Sequence, residues 1–477
     1  MARKESISIL KSLQRLLDRG PEVRPPHVRT WHPLGLLPRF SRDPVGVFLA
    51  LAREHGDIVS FRMGPKQAYL IRDPVDIKRV LVDGHRSYGK RTRGYDKMRI
   101  FMGQGLVTSE GEFWRRQRRI SQPAFHRQRI AGFASVMGTL AHTLSNEWEG
   151  HAVRGESFDF ATDMMRYTLW VVASTVLSID VGDQAEQVGE DVGELLSFFQ
   201  HTVTSLLPVD EVLPTPRARR ARAAMERLDA VVYGVIERRR QGAEDPHDLL
   251  SLLLEARDEE TGEGMTDLQL RDEVMTMFLA GHETTANALA WTLLLLGRHP
   301  EALAKVHEEL DAVLDGRPPG LDDLGSLTYL GQVLDEGMRL YPPAWLVARS
   351  VEEDDELSGF PIKKGAYVFF SPFVSHRNPA FFPDPERFDP ERFSAEAGKS
   401  RPRYAYFPFS GGPRQCIGDA FAKMEAKILL AVLLSRFTLE IDGGHPIGLT
   451  PSVTLRPTYG VKGTVRLRGG GGAGDAP

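Results

Sequence analysis

The chain has 477 residues, 42% hydrophobic and 26% charged, close to average globular usage, so whole-chain disorder is excluded and a sizeable core can be buried. With 60 Lys and Arg against 64 Asp and Glu the net charge is −4, which argues against wholesale nucleic-acid binding. The one cysteine, Cys416, excludes an intramolecular disulfide and a Cys-x-x-Cys zinc site, and fits a reducing cytoplasm.

Residues 5–19 read as an amphipathic helix, with Ile9, Leu10, Leu13, Leu16 and Leu17 on one side. Such a helix rests on a membrane surface or, more commonly, packs on the body as a tail. Lys11, Gln14, Arg15 and Asp18 interrupt any apolar block of about 7–15 residues, so no secretory signal is read here. Pro21, Pro25, Pro26 and Pro33 then make an extended lead-in, and residues 1–32 are set apart from the domain proper. Residues 57–62 and 68–71 are short β-type runs. From about 113 to 340 the pattern is nearly all helical. Pro and Gly return from 345 to 393 with short β-rich runs such as 366–371. A helix over 418–436 precedes β-like segments at 437–441 and 464–467, and the Gly-rich residues 469–477 form a tail without chemistry. The longest apolar runs, 286–296 and 428–434, fall short of the about 18 residues a membrane span needs. Residues 33–468 are therefore expected to form one large, mainly α domain with small β-sheets near both ends.

Two helices are placed more closely. The first opens at Thr266, where Gln269 completes a capping box, and runs past thirty residues to Gly297 and Pro300. Its mixed apolar faces predict a helix crossing the middle of the protein. The second covers 329–340 and is stopped by Pro342 and Pro343.

Cys416 lies in Phe409-Ser-Gly-Gly-Pro-Arg-Gln-Cys416-Ile-Gly418. Two glycines and a proline predict a tight turn, and the helix beginning at Gly418 brings its positive end near the sulfur, favouring a thiolate. Arg414 adds a charge suited to an acidic group on a ligand. A lone cysteine is most commonly a buried free thiol; a lone thiolate also serves as a nucleophile or as the single axial ligand of a haem. The ten residues decide among these, because they resemble the haem-binding loop of the cytochrome P450 family, Phe-x-x-Gly-x-Arg-x-Cys-x-Gly, at every specified position.

Other stretches resemble the same family in the same order. Glu336-Gly-Met-Arg339 matches Glu-x-x-Arg, whose spacing puts both side chains on one helix face. The family locks that pair with an arginine from Pro-Glu-Arg-Phe, which occurs here at 385–388 and 390–393; the second, within Phe-x-Pro-Glu-Arg-Phe, assigns Arg392 and not Arg387 to the triad. Ala280-Gly-His-Glu-Thr284-Thr285 breaks helix preferences in mid-helix, as functional sites do. It resembles the oxygen-activating segment, which implies that Thr284 bonds dioxygen and Glu283 helps relay protons. His282-Glu283 opens a zinc-protease HExxH, but Ala286 replaces the second His. Trp114-Arg-Arg-Gln-Arg118 matches Trp-x-x-x-Arg, whose side chains reach a haem propionate, and Arg349 resembles a further propionate-binding arginine.

The resemblance covers about 33–467 and implies a P450 fold, haem b held by Cys416, and hydroxylation of an apolar molecule such as a fatty acid, terpenoid, steroid or polyketide. Phe409 and Gly418 belong to the cofactor-binding set by the same motif. Phe278, Ala280, Trp345 and Leu346 are expected to face substrate, with residues from 84–105 and 196–216. No part of the chain remains for a fused reductase, so electrons are expected from a ferredoxin or flavodoxin with an NAD(P)H-dependent reductase. Arg115, Arg116, Arg119, Arg401, Arg403, Lys423 and Lys427 are the expected basic docking face. The Arg217–Arg222 cluster reads as a solvated helix face. Two rivals stand beside this reading: a haem-thiolate peroxygenase or isomerase, against which the intact Glu283-Thr284 pair argues, and a non-catalytic haem sensor.

Overall fold

The computed structural model describes residues 24–179, 183–205, 209–242 and 248–468. The N-terminal helix expected over 5–19 and the tail at 469–477 lie outside them. The lead-in joins the body before residue 33, because Val28 N–H donates to Ser60 O (2.9 Å) and Ser60 N–H donates to Pro26 O (2.8 Å).

Helix dominates, and the helix Asp267–Arg298 forms the axis of the core. Thr266 caps it, and both hydrogen bonds of the capping box with Gln269 are made. From Leu270 to Leu296 only Met277, Ala280, Gly281 and Thr284 are not fully buried. Their spacing of three, one and three residues puts all four on one stripe. Thr284 Oγ1 donates to Ala280 O (2.6 Å), the back-bonding that loosens a helix at this point. Trp291 is completely buried, stacks on Tyr341 at 4.1 Å, and donates its indole N–H to Leu455 O (2.9 Å).

Helix Phe160–Leu177 packs along this axis, and helix Asp419–Arg436 packs against helix Ala134–Arg154. The sheets join distant parts of the chain. Strand Lys66–Ile71 pairs antiparallel with Ile58–Met63 and parallel with Tyr367–Phe370, which in turn pairs with Val347–Val351 and, beyond it, Tyr88–Gly89. Lys462–Leu467 lies between Phe437–Ile441 and the two residues Phe158–Asp159. That last pair interrupts the stretch expected to be nearly all helical; it is too short to carry an alternating pattern. The Arg217–Arg222 cluster lies on helix Pro216–Arg240, where Arg217 pairs with Asp210 and Arg220 with Glu194.

His282 ties the central helix to its neighbour, with Nε2 3.1 Å from Met165 O. Burial, outweighing the pull of Glu283, holds its imidazole down at about 4. The unfolded chain takes up this proton near 6.5, so stability is full above that value and falls as pH drops from 6.5 towards 4. Denaturant midpoints measured at about pH 7 and pH 5 should show the wild type losing about 2 kcal/mol more than His282→Asn.

Candidate active site

The loop from Phe409 to Gly418 is shaped by its backbone. Cys416 N–H donates to Phe409 O (3.0 Å), closing the loop. Ser410 and Gly412 have φ of +61° and +66°. A Cβ on Gly412 would collide with Leu81 O, and one on Gly411 with the Tyr404 ring, so both glycines are needed for close approach. Arg118 Nη1 donates to Gln415 O (3.0 Å), fastening the loop from the opposite wall.

Behind this loop is a cavity of about 370 Å³. It gathers Cys416, Phe409, Gly418 and Arg414 from the loop and Ala280 and Thr284 from the central helix. Trp114, Arg118 and Arg349 complete the set of expected residues that line it. Arg414 stacks over the Trp114 ring at 3.7 Å and donates to Ser109 O (2.9 Å). Arg349 bonds Tyr95 Oη (3.1 Å). Lys90 was not signalled in the sequence, because nothing near it in the chain marks it; it enters the cavity wall with Nζ on Val107 O (2.6 Å). Burial first, then Arg414 and Arg349, hold Lys90 well below the usual lysine range, and burial with Arg349 brings Arg414 down to about 10. Four cations thus share one wall of a space whose other walls include Val172, Val176, Met277 and Ala280.

Several expectations are corrected. Burial pushes the Cys416 thiol up to about 11, outweighing the Gly418 N–H and Arg118, while Asp419 in the first turn of the helix opposes its positive end. The helix end alone does not bring this thiol into the thiolate range. Phe278, Trp345 and Leu346 do not line the cavity. Phe278 is 3% exposed in the main core, and Trp345 packs with Phe48 and Phe369 while donating to Ser452 O (3.0 Å). Leu346 packs against the same cluster. None of the described residues in 196–216 lines the cavity, whereas Lys90 and Tyr95 from 84–105 do. Glu283 is fully buried off the cavity, its carboxylate accepting from Thr454 and Arg456. The expected docking arginines are largely neutralised: Arg115 pairs with Glu112, Arg116 with Glu263 (3.3 Å) and Arg119 with Asp258 (2.7 Å). Arg401 lies over Phe382 and Phe393, and Lys427 donates to Leu324 O and Leu327 O. Only Arg403 and Lys423 of that set line the bowl outside the cysteine loop, and Lys423 is itself paired with Asp335 (2.9 Å).

Glu336 and Arg339 are both fully buried and bonded at 2.6 and 2.8 Å. Arg392 Nε lies 3.6 Å from Glu336, whereas Arg387 contributes only its carbonyl to Arg339 and its side chain is exposed. Arg339 also donates to His376 O (3.0 Å), and the His376 ring accepts from Phe407 N–H (2.9 Å), two residues before the cysteine loop.

A family model described as Cytochrome P450 matches residues 25–462. The chain belongs to the cytochrome P450 family. Among its relatives are cyclooctat-9-en-7-ol 5-monooxygenase of Streptomyces melanosporofaciens, 38% identical over 395 residues, covering 82% of this chain and 84% of that one, and cyclooctatin synthase of the same organism, 38% identical over 427 residues, covering 87% and 90%. Pentalenene oxygenase of Streptomyces avermitilis is 34% identical over 417 residues, covering 86% and 88%. The crystal structure of the cytochrome P450DA heme domain superposes with a TM-score of 0.85 at 29% identity, covering 94% of this chain and 98% of that one. This P450 is a haem-thiolate monooxygenase of apolar small molecules with haem b as cofactor, and the site agrees: one sulfur, apolar walls, and clustered cations suited to the carboxylates of an otherwise apolar ring. Among the described residues no helix is long and apolar enough to cross a membrane.

Removing one partner of the buried ion pair leaves a charge unanswered. Glu336→Ala should lower stability by about 3–5 kcal/mol in urea unfolding, and Glu336→Gln by less, because its amide still accepts from Asp389 N–H (2.8 Å in the wild type).

Proposed function

We propose that Cys416 would hold the iron of haem b through its sulfur and that this P450 hydroxylates a cyclic terpenoid. The observation that carries the reading is the cavity onto which Cys416, Thr284 and four cations, two buried and two half-buried, open together. Trp114, Lys90, Arg118, Arg349 and Arg414 would hold the propionates, with Phe409 and Gly418 shaping the loop around the ligand. Once bound, haem b supplies the activation of O2 and the insertion of one oxygen atom into a C–H bond. Thr284 holds its proton at Oγ1 on the cavity stripe. Glu283 is the next residue towards solvent in the proton route: its partner Arg456 is 32% exposed, and Thr454 bonds Glu283 and Asn287 together. Glu336, Arg339 and Arg392 brace the cysteine loop and do no chemistry.

Among the apolar substrates expected from sequence, the relatives favour a cyclic terpenoid over a fatty acid, because two of those named above are an oxygenase of pentalenene and a 5-monooxygenase of cyclooctat-9-en-7-ol. The carbon-monoxide difference spectrum of the dithionite-reduced protein tests the centre of the reading. A strongly red-shifted Soret band should appear in the wild type and vanish in Cys416→Ser; a band unchanged by the substitution overturns the ligand assignment.

Electrons would come from a ferredoxin or flavodoxin with its NAD(P)H-dependent reductase, in a cytoplasmic setting. The docking surface supported by geometry is the bowl of about 600 Å³ lined by His126, Arg127, Arg403 and Lys423. Its floor includes Phe409, Ser410 and Gln415, which also line the haem cavity, so one loop separates the surface from the sulfur. Arg127 and Arg403 are exposed. The double variant Arg127→Glu/Arg403→Glu should slow reduction by an acidic ferredoxin on the order of tenfold at low salt and flatten its salt dependence in stopped-flow measurements.

A further inference from the structure

The cavity has a second polar feature, distinct from the four cations but reached through the same segment, since Leu106 bonds Glu273 and Val107 bonds Lys90. Glu273 and Thr276 line it from the central helix, three residues apart and hence on one face. Glu273 is 0% exposed and Thr276 5% exposed. One carboxyl oxygen of Glu273, Oε2, accepts from Leu106 N–H (3.1 Å), while Oε1 has no partner within the protein. Thr276 Oγ1 has none either. The buried helical threonine hydroxyls of Thr168, Thr175 and Thr292, by contrast, each bond the carbonyl four residues back. Gly105 leaves room above Thr276, since a Cβ there would collide with Oγ1. Neighbouring Asp272, by contrast, is occupied by Gln104 N–H (2.8 Å) and Arg271 (3.0 Å).

Buried polar atoms without partners are costly, and a pair of them on an otherwise apolar wall is where a ligand's polar group is satisfied. Burial, outweighing the Leu106 N–H, holds the Glu273 carboxyl up at about 8, so at neutral pH it is largely an uncharged acid that both donates and accepts. An uncharged donor–acceptor beside a threonine hydroxyl suits an alcohol, and suits neither a carboxylate nor a cation.

We propose that Glu273 and Thr276 form a hydroxyl-binding subsite and that the substrate is an apolar polycyclic skeleton already bearing an alcohol; this rests on the terpenoid reading above. Thr276 and Thr284 are eight residues apart on the helix, about 12 Å along its axis. An alcohol anchored at the first therefore places the far side of a fused-ring skeleton near the second, and fixes which carbon is presented. The reaction that supplies this substrate is one that installs a hydroxyl, either an earlier oxygenation or capture of water by a cyclisation cation.

The test uses the haem-loaded full chain and reads the Soret spin-state shift with matched pairs: cedrol against cedrane, and abietadienol against abietadiene. The wild type should bind the alcohol of a pair on the order of tenfold more tightly than the hydrocarbon. Thr276→Val and Glu273→Leu should each bring that ratio to within about twofold while leaving hydrocarbon affinity unchanged, and Glu273→Gln, which can still donate and accept, should retain most of it. If Glu273→Leu does not hold haem, Thr276→Val decides. Equal affinity for both members in the wild type, or a preference that survives Thr276→Val, overturns the subsite. A haem protein with a normal carbon-monoxide spectrum that responds to no member of either pair overturns the cyclic-terpenoid reading instead.

Discussion

Arg339 has no contact with solvent, so its charge is answered wholly inside the protein, and the groups that answer it hold the cysteine loop in place. Glu336 takes two of its donors; the carbonyls of His376, Pro385 and Arg387 take the others. Glu336 also accepts from Asp389 N–H, and the His376 ring accepts from Phe407 N–H. The segment from 376 to 416 has little regular secondary structure, so no backbone ladder can stiffen it. A buried ion pair is weak as a source of net stability but strict in geometry, because any misplaced partner leaves a charge uncompensated. That strictness fixes the position of the loop that carries Cys416.

The central helix shows the opposite economy. Most of it is packed so completely that its neighbours set its position, and the least buried stripe, Met277, Ala280, Gly281 and Thr284, opens on the cavity together with Glu273 and Thr276. Small residues on that stripe bring the backbone close to the space where chemistry occurs. Thr284 spends its hydroxyl on Ala280 O, while Glu283, one residue away, points into a polar knot with Thr454 and Arg456. Adjacent residues of one helix thus face different surroundings, Thr284 the cavity and Glu283 a polar knot whose Arg456 reaches solvent.

Much of this was legible locally. The capping box at Thr266, the loop around Cys416 and the Glu336–Arg339 pair depend on residues within a few positions of each other, so their geometry follows from spacing. Lys90, Glu273 and Thr276 carried no such signal: each becomes notable only because remote segments bury it beside the cavity. The misreadings have the same origin. Trp345 and Leu346 lie near cavity residues in sequence, but the strand Val347–Val351 turns them towards Phe48 and Phe369. Arg116 lies within the Trp114–Arg118 motif and Arg119 just after it, yet the helix delivers them to Glu263, Asp258 and Glu260.

From the sequence by itself came the mainly helical class, the long central helix, and the residue types of a thiolate-ligated cofactor site, because helical periodicity, capping and tight turns are short-range. Tertiary structure alone decided which cations share the cavity, that Phe278, Trp345 and Leu346 stand off it, and that Glu273 Oε1 and Thr276 Oγ1 have no partner within the protein on its wall. Those outcomes depend on burial and charge between segments up to hundreds of residues apart, such as Lys66–Ile71 against Tyr367–Phe370. Desolvation and pairing across such separations leave no periodic trace along the chain.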